Sequence, residues 1–269
     1  MTNSSKTVVN NYWNKLINNP EIDGVYPMGM GGLVEIYYRT YIEKLNFLKL
    51  IKSKNKPSVL EIGCGAGRWA ISLNKYLKNY TGIDISETSI EKAIELCTAK
   101  QINNCSFQCI DITNFKSKQK FDIIYFGGVT QYMQDEEIKT SILHLKNFLN
   151  KDGLLIDRST LTLENEQQIN NRDGYFAIYR NEKELASLFA DNGFQIISSM
   201  NSYAFLRISR LANYINNRPR LINILRRSPT ISYNLLLVLT KLANFIKPKV
   251  FSEEGTGKYT HRFITFKLK

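Results

Sequence analysis

Histidine is nearly missing from this 269-residue chain: His144 and His261 are the only two. Cysteine is sparse as well, with Cys64, Cys97, Cys105 and Cys109 the full set. So few imidazoles and thiols leave a zinc cluster without ligands, and no metal is expected. Cys105 and Cys109 would fall on one side of a strand, which suits a packed sheet better than a metal site. The thiols are read as reduced. Long apolar runs are absent too. Nothing approaches the roughly 18 residues needed to span a bilayer, and the polar stretch Met1–Val8 has no signal-peptide core. A cytoplasmic protein is the expectation, and no internal repeat is found.

Acidic residues are missing from one segment. Between Asn201 and Val250 there is no Asp or Glu but nine Lys and Arg, against a net charge of +12 for the whole chain. The segment, not the protein, is basic, and it reads as amphipathic helices over Ala204–Asn216, around Leu221–Arg226 and over Ile231–Phe245, punctuated by Pro219 and Pro229. Apolar content is not lacking: 43% hydrophobic and 12% aromatic residues suffice for a core, which excludes a disordered adaptor. The length fits one large α/β domain with an insertion, or one domain with a small appendage.

Residues Val59 to Ala70 read V-L-E-I-G-C-G-A-G-R-W-A. Val59, Leu60 and Ile62 suit a buried parallel strand, and Gly63, Cys64 and Gly65 make the turn out of it. Gly67 permits close helix packing, and the free N–H groups at the helix start face a ligand. A dinucleotide fold would place its third glycine at position 68, which is Arg68 here. Asp84 ends a second strand, Tyr80–Ile83, and lies 21 residues after Gly63, where an open α/β fold puts the carboxylate that takes a ribose diol. Its alternative is a helix start, with Ser86 as N-cap of a helix to about Thr98. Cys105–Ile110 reads as a third strand followed by Asp111 and Ile112, where Asp111 taken alone could be a plain loop acid. Phe121–Phe126 is a fourth strand opening into Gly127-Gly128-Val129-Thr130-Gln131-Tyr132. Leu154–Arg158 is a fifth strand. Asn181 and Glu184 form a capping-box spacing for a helix over Glu182–Ala190. Phe194–Ser198 and Phe263–Leu268 are the last two strands.

Glu61 two residues before Gly63, with the third glycine at Gly67, resembles motif I of the class I S-adenosylmethionine (SAM) dependent methyltransferases. The resemblance covers about residues 55 to 200 plus the final strand. It implies an α/β, Rossmann-like fold: a mostly parallel seven-stranded sheet with an antiparallel last strand and helices on both faces. Where that fold joins strands six and seven by a short hairpin, about sixty residues of this chain read as a helical insertion. The resemblance also implies four regions. Residues 1–54 are N-terminal helices closing the cofactor pocket, 55–200 the SAM-binding core, 201–258 a basic helical lid, and 259–269 the last strand. SAM is the implied cofactor, with S-adenosylhomocysteine as product. Its site would comprise Glu61, Gly63, Cys64, Gly65, Gly67, Asp84 with its neighbour Ile85, Asp111 and Ile112 around the adenine, and Gly127. Arg39, on a helix over Leu33–Ile51, would take the methionine carboxylate. Tyr12 and Trp13 form either a pocket wall or core.

Methyl transfer to an amine or hydroxyl needs alignment and, for some nucleophiles, a base. His261, at the start of the last strand, is the imidazole placed for that role, with a purely structural role as its alternative. His144 is read as packed or surface. Asp157 could replace His261 as the base, and Tyr132 joins the catalytic candidates. Thr130, Gln131, Arg158, Tyr175, Tyr179 and Arg180 follow strand ends and are candidate acceptor contacts. The loop after strand four lacks the Asn/Asp-Pro-Pro-Tyr/Phe signature of amino-directed nucleic-acid enzymes, so nucleic-acid methylation is disfavoured. Gly174–Arg180 and Thr260–Phe263 look like enzymes of surface-glycan and natural-product pathways. The basic segment suggests an anionic small-molecule acceptor, such as a nucleotide-linked or phosphorylated sugar. Two other readings stay open for it: a solvated helical cap, and a membrane-surface helix through Leu235–Leu239. A non-catalytic module that keeps the fold and docks to membrane or nucleic acid is the rival from another class. The expected assembly is monomer or homodimer.

Overall fold

The computed structural model describes residues 3–17, 33–170, 175–203, 217–228 and 259–269, with Ile231, Ser232, Asn234, Leu235 and Val238. Apolar alternation in β4 (Phe121–Phe126) shows how the centre of the fold is built. Ile124 and Phe126 enter one core cluster, while Ile123 and Tyr125 enter the cluster on the opposite face. A strand whose side chains are buried on both faces belongs in the middle of a covered sheet. β1 (Ser58–Ile62) is likewise buried along its whole length and pairs in parallel with β4 and with β2 (Asn79–Asp84).

With β3 (Cys105–Cys109), β5 (Leu149–Thr162), β8 (Phe194–Asn201) and β9 (Tyr259–Leu268), these strands make a seven-stranded sheet of order β3-β2-β1-β4-β5-β9-β8. β9 is antiparallel to both β5 and β8. The expected mostly parallel sheet with one reversed strand is therefore present. Strand order reverses between β1 and β4, so their carboxyl ends flank a crevice, the place where open α/β sheets bind ligands. One face of the sheet is covered by α5 (Asp135–Leu145) and α6 (Glu182–Ala190), through Ile138, Ile142 and Phe189. The other is covered by α2 (Leu33–Leu50), α3 (Arg68–Leu73) and α4 (Glu87–Ala99), through Phe47, Trp69 and Ile90. α1 (Asn3–Ile17) lies outside both clusters.

Local signals set several of these boundaries. Ser86 caps α4, its hydroxyl accepting from Ser89 N–H at 3.1 Å. Asn181 and Glu184 close the capping box of α6. Three features differ from expectation. β5 runs fourteen residues, well past Arg158. A separate hairpin, β6 (Gln167–Asn170) with β7 (Phe176–Tyr179), fills part of the stretch between β5 and α6. Cys105 is only half-buried and Cys109 is exposed, because β3 is the edge strand rather than a packed interior one. In the basic segment, α7 (Pro219–Arg227) matches the helix expected near Leu221–Arg226. The helix expected over 204–216 lies outside the described residues, and so does most of the one over 231–245. Among the described residues, no helix is long and apolar enough to cross a membrane.

Candidate active site

A cavity of about 910 Å³ opens at the carboxyl ends of β1, β2 and β4. Its floor is the glycine loop. The Gly63 and Cys64 N–H groups both donate to Ile83 O, at 2.8 and 3.1 Å, which ties the end of β1 to the end of β2. Gly63 sits at φ +73°, and a Cβ there would fall 2.0 Å from Val129 Cγ1. No other residue fits that position. Gly67, at φ +77°, would bring a Cβ to 3.1 Å from Ala93 Cβ and 3.4 Å from Phe107, so its role is close packing against α4 and β3. It does not line the cavity, whereas Gly63, Cys64, Gly65 and Gly127 do.

Three acids surround the floor. Asp84 Oδ2 accepts the Gly65 N–H at 2.9 Å and Oδ1 accepts the Ser86 N–H at 3.0 Å, which fixes the carboxylate plane. Burial pushes its carboxyl above the ordinary value. Asp111 Oδ1 accepts from Thr113 N–H and Oγ1, at 2.9 and 2.7 Å. Glu61 is buried beneath the loop, where its Oε2 accepts the Tyr80 hydroxyl. Burial pushes its carboxyl up to about 8, against the opposing pull of Tyr80 and Arg68. Ile85 and Ile112 also line this half.

The wall beside it is cationic: Arg39 and Arg158 were expected in the site, but not their joining with Arg68 through Glu43. Glu43, fully buried on α2, holds three guanidinium groups: Arg158 Nε at 2.7 Å, Arg68 Nη1 at 2.9 Å and Arg39 Nε at 3.2 Å. Burial would raise the Glu43 carboxyl, but Arg158, Arg39 and Arg68 outweigh it and hold the group well below the usual carboxylate range. All three arginines line the cavity, and one carboxylate cannot neutralise them. Arg158 Nη2 is buried with no hydrogen-bond partner among the described residues.

A hydrogen-bonded row continues from there. His261 stacks on Tyr203, with ring centroids 4.8 Å apart, and its Nδ1 lies 3.0 Å from Thr160 Oγ1. The Thr160 N–H donates to Gln131 Oε1 at 3.3 Å, and Gln131 Nε2 donates to the Tyr132 hydroxyl at 2.8 Å. Burial, then Arg158 and Arg39, push the His261 imidazolium well below its ordinary pKa, so the ring is neutral at physiological pH. Tyr132, Tyr175 and Tyr179 line the same space with Tyr12 and Trp13.

Four expected site residues, Gly67, Thr130, Asp157 and Arg180, are not brought to this cavity, and His144, expected to be packed or at the surface, does not line it either. Asp157 is fully buried with Oδ1 accepting the Thr130 hydroxyl at 2.8 Å, and Thr130 also lies 2.6 Å from Ser159 Oγ. Neighbouring residues on a strand face opposite sides, so Arg158 and Thr160 reach the cavity while Asp157 and Ser159 point behind it. Arg180 is buried as well, donating to Asp135 Oδ1 at 2.9 Å, Met133 O at 2.9 Å and Thr130 O at 3.3 Å. It clamps the turn after β4 and touches no cavity surface. His144 Nε2 lies 2.7 Å from Phe115 O, remote from the site. Glu43, Arg68, Thr160 and Tyr203 were missed. The only sequence signal for Glu43 was its i,i+4 spacing from Arg39.

Strand order, glycine loop and the acids ending β2 and β3 together define the class I, Rossmann-like fold of SAM-dependent methyltransferases. Residues 53–193 match the family described as Methyltransferase domain, and the chain belongs to that family. Release factor glutamine methyltransferase of Fusobacterium nucleatum is 28% identical over 169 residues, covering 58% of this chain and 47% of that protein. The chain spans less than half the length of the curated relatives it matches. Magnesium protoporphyrin IX methyltransferase from Synechocystis PCC 6803, solved with bound SAM, superposes with a TM-score of 0.57 at 22% identity, covering 75% of this chain and 91% of that one. The cyclase SpnF superposes with a TM-score of 0.66 at 13% identity, covering 98% and 96%. These likenesses concern the fold alone, and SpnF's description as a cyclase shows that the fold does not dictate one reaction. The cradle and the family agree on SAM as cofactor. The residues fit it: a fixed carboxylate for a ribose, a capped acid for an adenine, and a cationic wall for a carboxylate. No grouping of His, Cys, Asp and Glu able to hold a metal occurs among the described residues.

Proposed function

We propose that the protein transfers a methyl group from SAM to an oxygen or nitrogen of a small anionic acceptor in the cytoplasm. The observation that carries the anionic part is the excess of guanidinium over carboxylate around Glu43, with Arg158 Nη2 still lacking a partner. SAM supplies an electrophilic methyl on a sulfonium. Asp84, Asp111 and the glycine loop hold the nucleoside, and Arg39 takes the methionine carboxylate. Arg158 takes the anion of the acceptor, Gln131 and Tyr132 orient it, and neutral His261 accepts its proton. Asp157 and Arg180 act at one remove, by fixing the Thr130–Tyr132 turn. Among acceptors of this chemistry are nucleotide-linked or phosphorylated sugars and glycan or natural-product intermediates.

The test is label transfer from methyl-tritiated SAM across a panel of anionic and neutral acceptors. Transfer confined to anions, and reduced at least tenfold in His261→Ala with unchanged S-adenosylhomocysteine affinity, supports the assignment. Preference for neutral acceptors contradicts it, and retained turnover in His261→Ala removes the base.

A second reading is favoured by the exposure of Ile224, Ile231, Leu235 and Val238 in a stretch that carries cations and no acids. Such a surface suits docking on an anionic membrane, with the fold serving as a non-catalytic module. Titration with S-adenosylhomocysteine separates the two readings, because a module that has lost catalysis has no need of the cofactor.

A further inference from the structure

We infer that the acceptor carries its anion on an aromatic or otherwise flat apolar body, and that this body lodges against a six-ring wall of the cavity that Arg158 also lines. The inference rests on the methyl-transfer reading and narrows its substrate class. The wall is made of Tyr12, Trp13, Tyr132, Tyr175, Tyr179 and Tyr259, all lining the cavity. Their rings contact edge to face, at centroid distances of 5.2 Å for Tyr12 and Tyr175, 5.9 Å for Trp13 and Tyr132, and 5.1 Å for Tyr179 and Tyr259. They come from α1, the turn after β4, the β6–β7 hairpin and β9, so four separate pieces of chain converge to build one apolar surface.

The hydroxyls of Tyr132, Tyr175, Tyr179 and Tyr259 already have hydrogen-bond partners. The Tyr175 and Tyr179 hydroxyls lie 2.7 Å apart, Tyr132 accepts from Gln131, and the Tyr259 hydroxyl donates to Gln167 Oε1 at 2.7 Å. Ring carbon, not hydroxyl, is therefore what the wall offers. A polyhydroxylated acceptor would lose its water there without regaining enough partners, while a flat apolar body gains both burial and ring contact. The Gln131–Thr160–His261 row leads to Tyr203, stacked on His261. The Arg158 guanidinium lies 5.8 Å from the centre of that ring with a buried, partnerless Nη2, a fork suited to a carboxylate or phosphate. A cavity of about 910 Å³ is large enough to hold cofactor and such an acceptor side by side.

The experiment titrates three probes into protein saturated with S-adenosylhomocysteine, following the combined fluorescence of Trp13 and Trp69 and binding heat. The probes are 2-naphthoate, glucuronate and 2-naphthol. Naphthoate is expected to bind at least tenfold tighter than either of the others. Tyr175→Ser should weaken naphthoate about tenfold while leaving S-adenosylhomocysteine affinity intact, and Arg158→Gln should reduce naphthoate to the level of naphthol. Glucuronate matching naphthoate, naphthol matching naphthoate, or no measurable naphthoate binding overturns the inference alone. Failure of S-adenosylhomocysteine itself to bind overturns the methyl-transfer reading and this inference with it. Arg158→Gln removes a partner of buried Glu43 and can fail to fold; Tyr175→Ser and the wild-type ranking then decide.

Discussion

Glu43→Gln is the substitution that most directly probes the cationic wall. Glutamine has nearly the shape of glutamate, so no cavity opens; the charge is lost and one acceptor oxygen becomes a donor NH2. In its place three guanidinium groups, formerly 2.7 to 3.2 Å from a fully buried carboxylate, are left facing one another. Breaking a buried ion pair by removing one partner costs about 3–5 kcal/mol. For a chain of this size each kcal/mol moves Tm by roughly 2–4 °C, so a fall on the order of 10 °C is expected. Differential scanning fluorimetry and urea denaturation at pH 7 measure it. Sulfate should restore part of the loss in the variant more than sodium chloride of equal ionic strength, because an external anion then binds the folded state selectively. A Tm within about 2 °C of wild type, or equal response to both salts, would refute the reasoning.

Two further outcomes follow from the same geometry. Gly63→Ala should abolish S-adenosylhomocysteine binding by calorimetry and lower Tm, since its Cβ meets Val129 at 2.0 Å in a left-handed backbone; normal binding would show that the loop is not the cradle. Glu61 has a carboxyl raised to about 8 in the folded state, so the protonated form favours folding and that stability is lost as pH rises from about 4.5 through 8. At about 1.4 kcal/mol per unit the upper bound is roughly 5 kcal/mol, and Glu61→Gln should flatten the decline in urea midpoint between pH 5 and pH 9; a profile parallel to wild type would count against it.

What the sequence displays best is local. The strand–glycine–helix stretch and the acids at Asp84 and Asp111 lie within short segments whose chemistry is fixed by a few neighbours, and the structure lines the cavity with them. The Glu43 cluster is the opposite case, since it joins α2 to residues 25 and 115 positions away and no spacing rule reaches that far. Asp157 and Arg158 illustrate a third difficulty. Both end a predicted strand, but which of two adjacent side chains faces the ligand depends on register against β4 and β9, which the chain's own pattern leaves open. The β6–β7 hairpin escaped for a related reason: its short strands are recognised by their pairing, although Tyr175 and Tyr179 beside and on it were expected as acceptor contacts.

The most direct test of the central claim is isothermal titration of S-adenosylhomocysteine into the wild-type protein and into Asp84→Ala. Asp84 is held in place by the Gly65 and Ser86 N–H groups and would accept two hydroxyl hydrogen bonds from the ribose. Each hydrogen bond to a charged group contributes about 1.5–3 kcal/mol, so their joint loss predicts at least roughly a hundredfold weaker binding with stoichiometry of one in the wild type. No binding to the wild type, or equal binding to both proteins, would contradict the account.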